Sequence, residues 1–202
     1  MNHFFKGSNR FMLTYLFIVL NIAVYAYTAI LSQNVMVIDD SVLERYGQYN
    51  FVIRESGWYW QLFTAMFVHI NIVHIAGNMI FLLIFGLRAE EMFKSHEYLL
   101  IYLLSGLTGN ILTLLIGPYV LSAGASGAIF GLFGAVTIYA RRILGQPVLG
   151  ALMFAFMLLV LSAGIEVNII AHLGGLIVGL LFGYILAVTR KFKAVYQYRH
   201  SA

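Results

Sequence analysis

The chain has 202 residues, of which 61% are hydrophobic and only 10% charged, and its mean hydropathy is +0.88. Soluble domains are closer to half apolar and a quarter charged, so this composition excludes a water-soluble domain, a disordered chain and a basic nucleic-acid-binding protein. It indicates an integral, multi-pass membrane protein. The absence of cysteine excludes disulfides, thiolate nucleophiles and cysteine-ligated metals.

Six charge-poor segments are predicted to cross the bilayer as helices. A span needs about 20 apolar residues, because the hydrocarbon core is roughly 30 Å thick and each helical residue rises about 1.5 Å. The predicted spans are 11–31, 66–87, 98–117, 126–140, 148–164 and 169–189. Most connections between them are short, so the whole chain, 1–202, is expected to form one all-α, six-helix membrane domain.

The one long connection, residues 32–65, is rich in aromatic side chains: Tyr46, Tyr49, Phe51, Trp58, Tyr59 and Trp60. Aromatic rings concentrate where a membrane meets water. We therefore expect this outer segment to lie partly in the membrane surface, with an ordinary exposed loop as the alternative.

The distribution of basic residues predicts the orientation. With the N-terminus inside, ten Lys and Arg residues fall on inner segments, and only Arg45 and Arg54 fall on outer ones. Because cytoplasmic segments carry the excess of Lys and Arg, both termini are predicted to be cytoplasmic. The pI near 9.3 follows from this asymmetry and requires no nucleic-acid partner; the basic ends are expected to meet anionic lipid headgroups.

Polar side chains inside predicted spans are costly and each needs an explanation. They are His69, His74, Asn78, Asn110, Ser126 and His172. The predicted topology places His74, Ser126 and His172 in the outer part of the membrane. His74 and Asn78, four residues apart, share one helix face, whereas His69 is expected to point elsewhere, about 140° around the same helix. Asn110 is interpreted as an interhelical hydrogen-bonding residue.

Two stripes of small residues predict close helix packing. One comprises Ala171, Gly175, Gly179 and Gly183, and the other comprises Gly127, Gly131 and Gly134. Small residues at three- or four-residue spacing share a helix face and allow neighbouring backbones to approach closely. We expect this packing to bring Ser126 and His172 within hydrogen-bonding distance.

This set of residues favours nucleophilic catalysis. Serine is a weak nucleophile until a base, usually histidine, takes its proton. Ser126 lies among small residues at a predicted helix start, where unpaired N–H groups favour negative charge, and His74 and Asn78 can add side-chain donors for an oxyanion. Each residue alone has a structural explanation, such as an N-cap for Ser126; their joint occurrence favours chemistry. No Asp lies within a span, so a dyad is expected and not a triad.

Other intramembrane chemistries do not match the sequence. The H-E-x-x-H zinc motif fails because no second histidine follows His96-Glu97 at the required spacing. An aspartyl protease needs two carboxylates in the membrane, but Asp39 and Asp40 both lie in the outer segment. A metal site made by His69, His74 and His172 is disfavoured by the expected direction of His69. We therefore expect no metal and no cofactor.

In this order, the motifs resemble those of rhomboid intramembrane serine proteases. They are Trp60-Gln61, His69-x4-His74-x3-Asn78, Gly86-Leu87-Arg88-x-Glu90, Gly124-Ala125-Ser126-Gly127 and Ala171-His172-x2-Gly175-x3-Gly179. The resemblance implies a minimal six-helix fold, Ser126 as nucleophile, His172 as general base, and an oxyanion hole of the Ser126 N–H, His74 and Asn78. It also implies single-span transmembrane protein substrates cut near their outer end, a gate formed by the fifth helix with residues 164–168, and a prokaryotic cell membrane.

Two positions depart from the family pattern. Gln61 stands where the family often has Arg, which questions a structural contact of the outer segment, and Phe130 stands where Tyr is frequent but can still pack on His172.

Two other functions compete with this interpretation. A non-catalytic rhomboid-like protein that binds client helices typically lacks one residue of the dyad. A transporter typically has midplane polar sites and internal repeats, and neither is apparent in this sequence.

Overall fold

The computed structural model describes residues 12–161 and 167–190, and the fold within them is mostly helical. In chain order, its elements are α1 (Met12–Leu31), α2 (Asp40–Tyr46), β1 (Gln48–Tyr49), α3 (Asn50–Ser56), α4 (Gln61–Thr64), α5 (Ile72–Met92), α6 (Ser95–Thr113), β2 (Leu121–Ser122), α7 (Ser126–Ile143), α8 (Val148–Leu161) and α9 (Ile169–Thr189). The terminal basic residues used to predict orientation, Lys6, Arg10, Lys191, Lys193 and Arg199, lie outside the described residues.

Three of the helices in the described part of the chain are long and apolar enough to cross a membrane. They are α1, α5 and α9, which correspond to the first, second and sixth predicted spans. The other three predicted spans correspond to α6, α7 and α8. The count of six spans and the cytoplasmic termini therefore stay predictions, whereas the mostly helical fold and the length and composition of these three helices are consistent with a membrane-spanning bundle.

The predicted second span, 66–87, begins too early. Its helix, α5, starts at Ile72, because Asn71 adopts an extended backbone and its side-chain oxygen accepts the N–H of His74 at 2.7 Å. This is an N-cap, the side-chain contact that satisfies an otherwise unpaired donor of the first turn. Residues 66–71 thus precede the helix, and helical angles do not apply to them.

The outer segment 32–65 is more regular than a loop, since it contains α2, β1, α3 and α4. Strand β1 pairs antiparallel with β2, with Gln48 opposite Ser122. Trp58, Tyr59 and Trp60 are exposed, which fits the predicted position at the membrane surface. Gln61 is fully buried; its side chain accepts the N–H of Tyr49 at 2.9 Å and donates to the carbonyl of Glu44 at 2.7 Å. Gln61 therefore supplies structural contacts within the outer segment.

The predicted packing of the two small-residue stripes is confirmed. A Cβ atom added at Gly175 would lie 1.9 Å from the carbonyl oxygen of Gly127, and one at Gly179 would lie 2.0 Å from that of Gly131. Only glycine permits such an approach of two backbones. The paired positions advance in the same order along both helices, so α7 and α9 run parallel and begin at the same end of the bundle.

Hydrogen bonds at the opposite end show how α1 and α5 run relative to α7 and α9. Glu90, near the end of α5, accepts the N–H of Leu13 at 2.8 Å and the hydroxyl of Thr14 at 2.7 Å, both at the start of α1. Arg190, after α9, donates to the Met92 carbonyl at 2.8 Å and to the Tyr139 hydroxyl at 2.7 Å. The ends of α5, α7 and α9 therefore meet at one end, and their beginnings, which carry His74, Ser126 and His172, meet at the other.

Candidate active site

Ser126 and His172 form a direct hydrogen bond. The Oγ atom of Ser126 lies 2.8 Å from Nε2 of His172. Ser126 is the first residue of α7, and its hydroxyl does not cap the helix: the N-cap position is Ala125, which makes no side-chain capping bond. The alternative of Ser126 as an N-cap is therefore wrong.

The ring of His172 is held against Phe130. The two rings stack with centroids 4.5 Å apart and planes inclined by 21°, so the expected packing of Phe130 on His172 is confirmed. Phe130 lies one turn after Ser126 on α7, and His172 is buried near the start of α9. Because α7 and α9 are in backbone contact, both rings occupy fixed positions beside the serine.

Gly124 brings the ring of His74 beside the serine. Its φ of +138° lies in the region that favours glycine, and a Cβ there would lie 2.9 Å from Cε1 of His74 and 3.7 Å from Oγ of Ser126. The Gly124 N–H donates to the Ala65 carbonyl at 2.9 Å, which fixes this turn against the segment before α5. A larger residue at 124 would push the imidazole away from the serine.

Asn78 lies one turn after His74 on α5. Its Nδ2 donates to the backbone carbonyl of His74 at 2.9 Å, and its buried Oδ1 accepts no hydrogen bond from the described residues. A side-chain amide has two N–H groups, so one remains after this contact. The interpretation of Asn110 as an interhelical hydrogen-bonding residue is confirmed, since its amide donates to the Leu62 carbonyl at 2.8 Å and joins α6 to α4 of the outer segment.

The expectation that His69 points away from His74 is wrong. The rings of His69 and His74 are 5.2 Å apart in an edge-to-face arrangement, and His69 is completely buried. His69 precedes the N-cap of α5, so the chain turns between the two histidines and the helical angle does not apply. Within residues 12–161 and 167–190, no three His, Asp or Glu side chains are grouped closely enough to hold a metal ion.

A cavity of about 1050 Å³ opens onto this cluster. Its lining combines polar groups with aromatic and small residues, including Ser126, His172, His74, Asn78, Gly77, Phe81, Phe85 and Phe133. The volume is large enough for an extended peptide segment with its side chains. The gate predicted from α8 and residues 164–168 falls partly on residues 164–166, which lie outside the described residues.

Sequence reasoning missed several polar residues around the site. Asn71 caps α5 at His74, Asn168 caps α9 by accepting the Ala171 N–H, and the buried Gln48 donates to the carbonyl of Asn110 at 2.9 Å. The signal for the two caps was present, because Asn is a preferred residue immediately before a helix. Gln48 carries no such signal, since its partner is more than sixty residues away in the chain.

Comparison with known proteins agrees with the family resemblance of the sequence motifs. A family model described as "Rhomboid domain" matches residues 56–189, which is more than half of the chain. RHOMBOID-like protein 6, mitochondrial, of Arabidopsis thaliana is 39% identical over 138 residues, covering 63% of this chain and 43% of the relative. Rhomboid protease GluP of Bacillus subtilis is 37% identical over 172 residues, covering 82% of this chain and 33% of the relative.

A third relative matches over most of its own length. Putative rhomboid protease YdcA of Bacillus subtilis is 34% identical over 152 residues, covering 71% of this chain and 74% of the relative. By contrast, the chain spans less than half the length of RHOMBOID-like protein 6 and of GluP. The family model, these relatives and the three apolar helices lead to one conclusion: the chain is an integral membrane protein that belongs to the rhomboid family.

Proposed function

We propose that the protein is an intramembrane serine endopeptidase that cleaves transmembrane helices of membrane-protein substrates near their outer end. The observation that carries the proposal is the 2.8 Å contact between Ser126 Oγ and His172 Nε2 at the wall of a large cavity. Family membership, with relatives named as rhomboid proteases, supports the same reaction class.

In the proposed acylation step, Ser126 Oγ attacks the carbonyl carbon of the scissile peptide bond while Nε2 of His172 takes the hydroxyl proton. The C–N bond then breaks, and the imidazolium returns that proton to the leaving amine. A water molecule hydrolyses the resulting ester by the same route in reverse, which frees Ser126. Phe130, stacked on the imidazole, keeps the ring plane fixed while it carries the proton in both directions.

The negative charge on the attacked oxygen needs donors. The Ser126 N–H is at the first position of α7, where backbone N–H groups have no partner within the helix and the helix dipole favours an anion. The ring of His74 and the second amide N–H of Asn78 are proposed to complete the oxyanion hole. Each fully used donor of this kind is worth roughly 3 kcal/mol in transition-state stabilisation.

The same proposal includes the arrangement in the membrane. The chain has six spans in one domain, both termini are cytoplasmic, and the dyad lies in the outer half. The substrates are single-span membrane proteins that reach the cavity past α8 and residues 164–168. No metal or cofactor takes part. The relatives come from a plant as well as from bacteria, so the prokaryotic cell membrane stays a prediction.

The test is cleavage of a model transmembrane substrate by the purified protein in lipid vesicles. Ser126→Ala and His172→Ala should each abolish product formation while the bundle stays folded, because the two groups act as a unit. Ser56→Ala and His96→Ala are matched controls, since both side chains are exposed and neither lines the cavity, and they should cleave at the parental rate. Turnover by Ser126→Ala would contradict the proposal, as would a parental protein that binds the substrate without cutting it.

A further inference from the structure

Asn168 joins three separate segments of the chain near the proposed dyad. Its Oδ1 accepts the N–H of Ala171 at 3.1 Å and so caps α9. Its Nδ2 donates to Oγ1 of Thr113 at 2.7 Å and to Oγ of Ser122 at 2.9 Å. Both hydrogens of the amide nitrogen and one acceptor position of its oxygen are therefore occupied.

The positions of these partners relate directly to the dyad. Asn168 precedes His172 by four residues, and its carbonyl accepts the His172 N–H at 3.3 Å. Ser122 precedes Ser126 by four residues and lies in β2, immediately before the turn at Gly124. The Asn168–Ser122 hydrogen bond thus connects the segment that carries the nucleophile to the segment that carries the base. In each segment, the bonded residue lies four positions before the catalytic one.

Thr113 fixes this connection to the rest of the bundle. It is the last residue of α6, it is fully buried, and its hydroxyl donates to the Gly109 carbonyl at 2.8 Å, so the oxygen accepts the Asn168 amide. The carbonyl of Thr113 accepts the side-chain amide of Asn50 at 2.8 Å. The hydrogen bonds of Asn168 are therefore connected to α6 through Thr113 and to the outer segment through Asn50.

Capping alone does not require these contacts. An N-cap needs one side-chain oxygen, which Ser, Thr and Asp also supply. The amide nitrogen of Asn168 adds two donations that an N-cap does not use, and both go to other segments. We infer that Asn168 is a positioning residue for the proposed Ser126–His172 dyad, and that its amide donations to Ser122 and Thr113 set the separation of the two catalytic groups.

This inference rests on the proposed function. Variants can separate the effect of the Asn168 capping oxygen from that of its two amide hydrogen bonds. Asn168→Asp keeps the shape and the capping oxygen but has no amide hydrogens to donate. Thr113→Val and Ser122→Ala, combined, keep Asn168 but remove both of its acceptors. Tyr139→Phe is the matched control, because it removes a hydroxyl that accepts from Arg190 at the opposite end of α7.

The measurements are kcat and KM per folded molecule with one transmembrane substrate, and the melting temperature in the same detergent. A displacement of about 1 Å between reacting groups costs up to about 100-fold in rate, so Asn168→Asp and the Thr113→Val, Ser122→Ala double variant should lower kcat by roughly 10- to 100-fold with KM unchanged. The single Ser122→Ala variant should show part of this loss even if the double variant folds poorly. Tyr139→Phe should lower the melting temperature and leave kcat at the parental value.

Parental kcat in Asn168→Asp and Ser122→Ala would overturn the inference, as would an equal loss of kcat in Tyr139→Phe. The parallel Ser126→Ala measurement separates this failure from that of the proposed function. If Ser126→Ala is inactive and the Asn168 variants are normal, only the positioning role is lost; if Ser126→Ala cleaves, the proposed function itself fails.

Discussion

Polar side chains connect helix ends at both ends of the bundle, but the two ends are built differently. At the end where α1 and α6 begin, Glu90 bonds the first turn of α1, and Arg190 bonds the Met92 carbonyl, the Tyr139 hydroxyl and Glu97. These contacts include full charges. At the other end, the Arg54 guanidinium bonds the Leu114 carbonyl, but the contacts among residues that line the cavity of about 1050 Å³ use amides, hydroxyls and imidazoles.

The charged and the neutral contacts suit the two ends of the bundle to different purposes. Charged pairs tolerate a change of about an ångström, because Coulomb attraction falls slowly with distance, and they suit an end that has only to stay closed. Neutral hydrogen bonds weaken steeply when distance or angle changes. They suit an end that must hold Ser126 and His172 at one separation beside an open cavity. Between the two ends, the glycine contacts hold the backbones of α7 and α9 directly against each other.

The largest effect on the rate, short of removing the dyad, is expected for His74. His74→Ala should lower the chemical rate by roughly 10-fold to 10³-fold, because one oxyanion donor is lost while the nucleophile and base remain. Asn78→Ala should cost less, since one of its N–H groups already bonds the His74 carbonyl. Turnover and melting temperature on the same preparations check this. A His74→Ala protein that melts normally and cleaves at the parental rate would refute the oxyanion assignment.

In the middle of the bundle, Gly179→Ala should lower the free energy of unfolding. Its Cβ would lie 2.0 Å from the Gly131 carbonyl oxygen, so α7 and α9 must separate. Overpacking of this kind typically costs about 1–3 kcal/mol of unfolding free energy. Gly77→Ala is the matched control, because a Cβ at Gly77 meets no atom within 4 Å. Equal melting temperatures for the two variants would show that α7 and α9 do not depend on this contact.

At the charged end, Glu97→Gln should lower the free energy of unfolding by about 1 kcal/mol without changing kcat, because a hydrogen bond to a charged partner is weakened. Burial raises the pKa of the Glu97 carboxyl, but the Lys94 N–H and the Arg190 guanidinium outweigh it and hold the pKa below its ordinary value of 4.5. A lowered pKa in the folded state means that the contribution is complete above pH 4.5 and is lost as the pH falls through the folded-state pKa.

Melting curves of the parental protein and of Glu97→Gln, recorded from pH 7 to pH 3, therefore check the charged end. The gap between the two should be constant down to about pH 4.5 and should close below it, since the parental carboxyl becomes neutral. A gap that widens in acid would contradict the assigned role of Glu97.

The smallest effect is expected for chelators. A serine and a histidine complete the proposed reaction without a bound ion, so EDTA or phenanthroline should leave the rate of cleavage unchanged. Inhibition by phenanthroline that zinc reverses would instead point to a metal at His69 and His74, whose rings are 5.2 Å apart.

The features that the sequence predicted well depend on local patterns. Residues at four-residue spacing within one continuous helix, such as Gly175 and Gly179, share a face wherever the helix lies, and the spacing sufficed to predict the packing of α7 on α9. The family resemblance, carried by motifs along most of the chain, was confirmed by the family model. The proximity of Ser126 and His172 follows from these two signals together.

The features that the sequence did not reveal depend on helix boundaries and on distant contacts. The apolar run from 66 suggested one continuous helix, but Asn71 begins α5 at Ile72, and the predicted direction of His69 failed with that boundary. The contacts of Gln61 with Tyr49 and of Asn168 with Thr113 and Ser122 join residues 12 to 55 positions apart. No periodicity encodes such contacts, because they depend on how the elements are arranged in space.

Covalent labelling of the purified protein with a fluorophosphonate probe tests the central claim most directly. The probe reacts with a serine hydroxyl only where a base activates it, and mass spectrometry of the digested protein identifies the modified residue. We expect one labelled residue, Ser126, and no labelling in His172→Ala, while His74→Ala retains part of the labelling. Labelling of another serine, or labelling of Ser126 that persists unchanged in His172→Ala, would contradict the Ser126–His172 dyad.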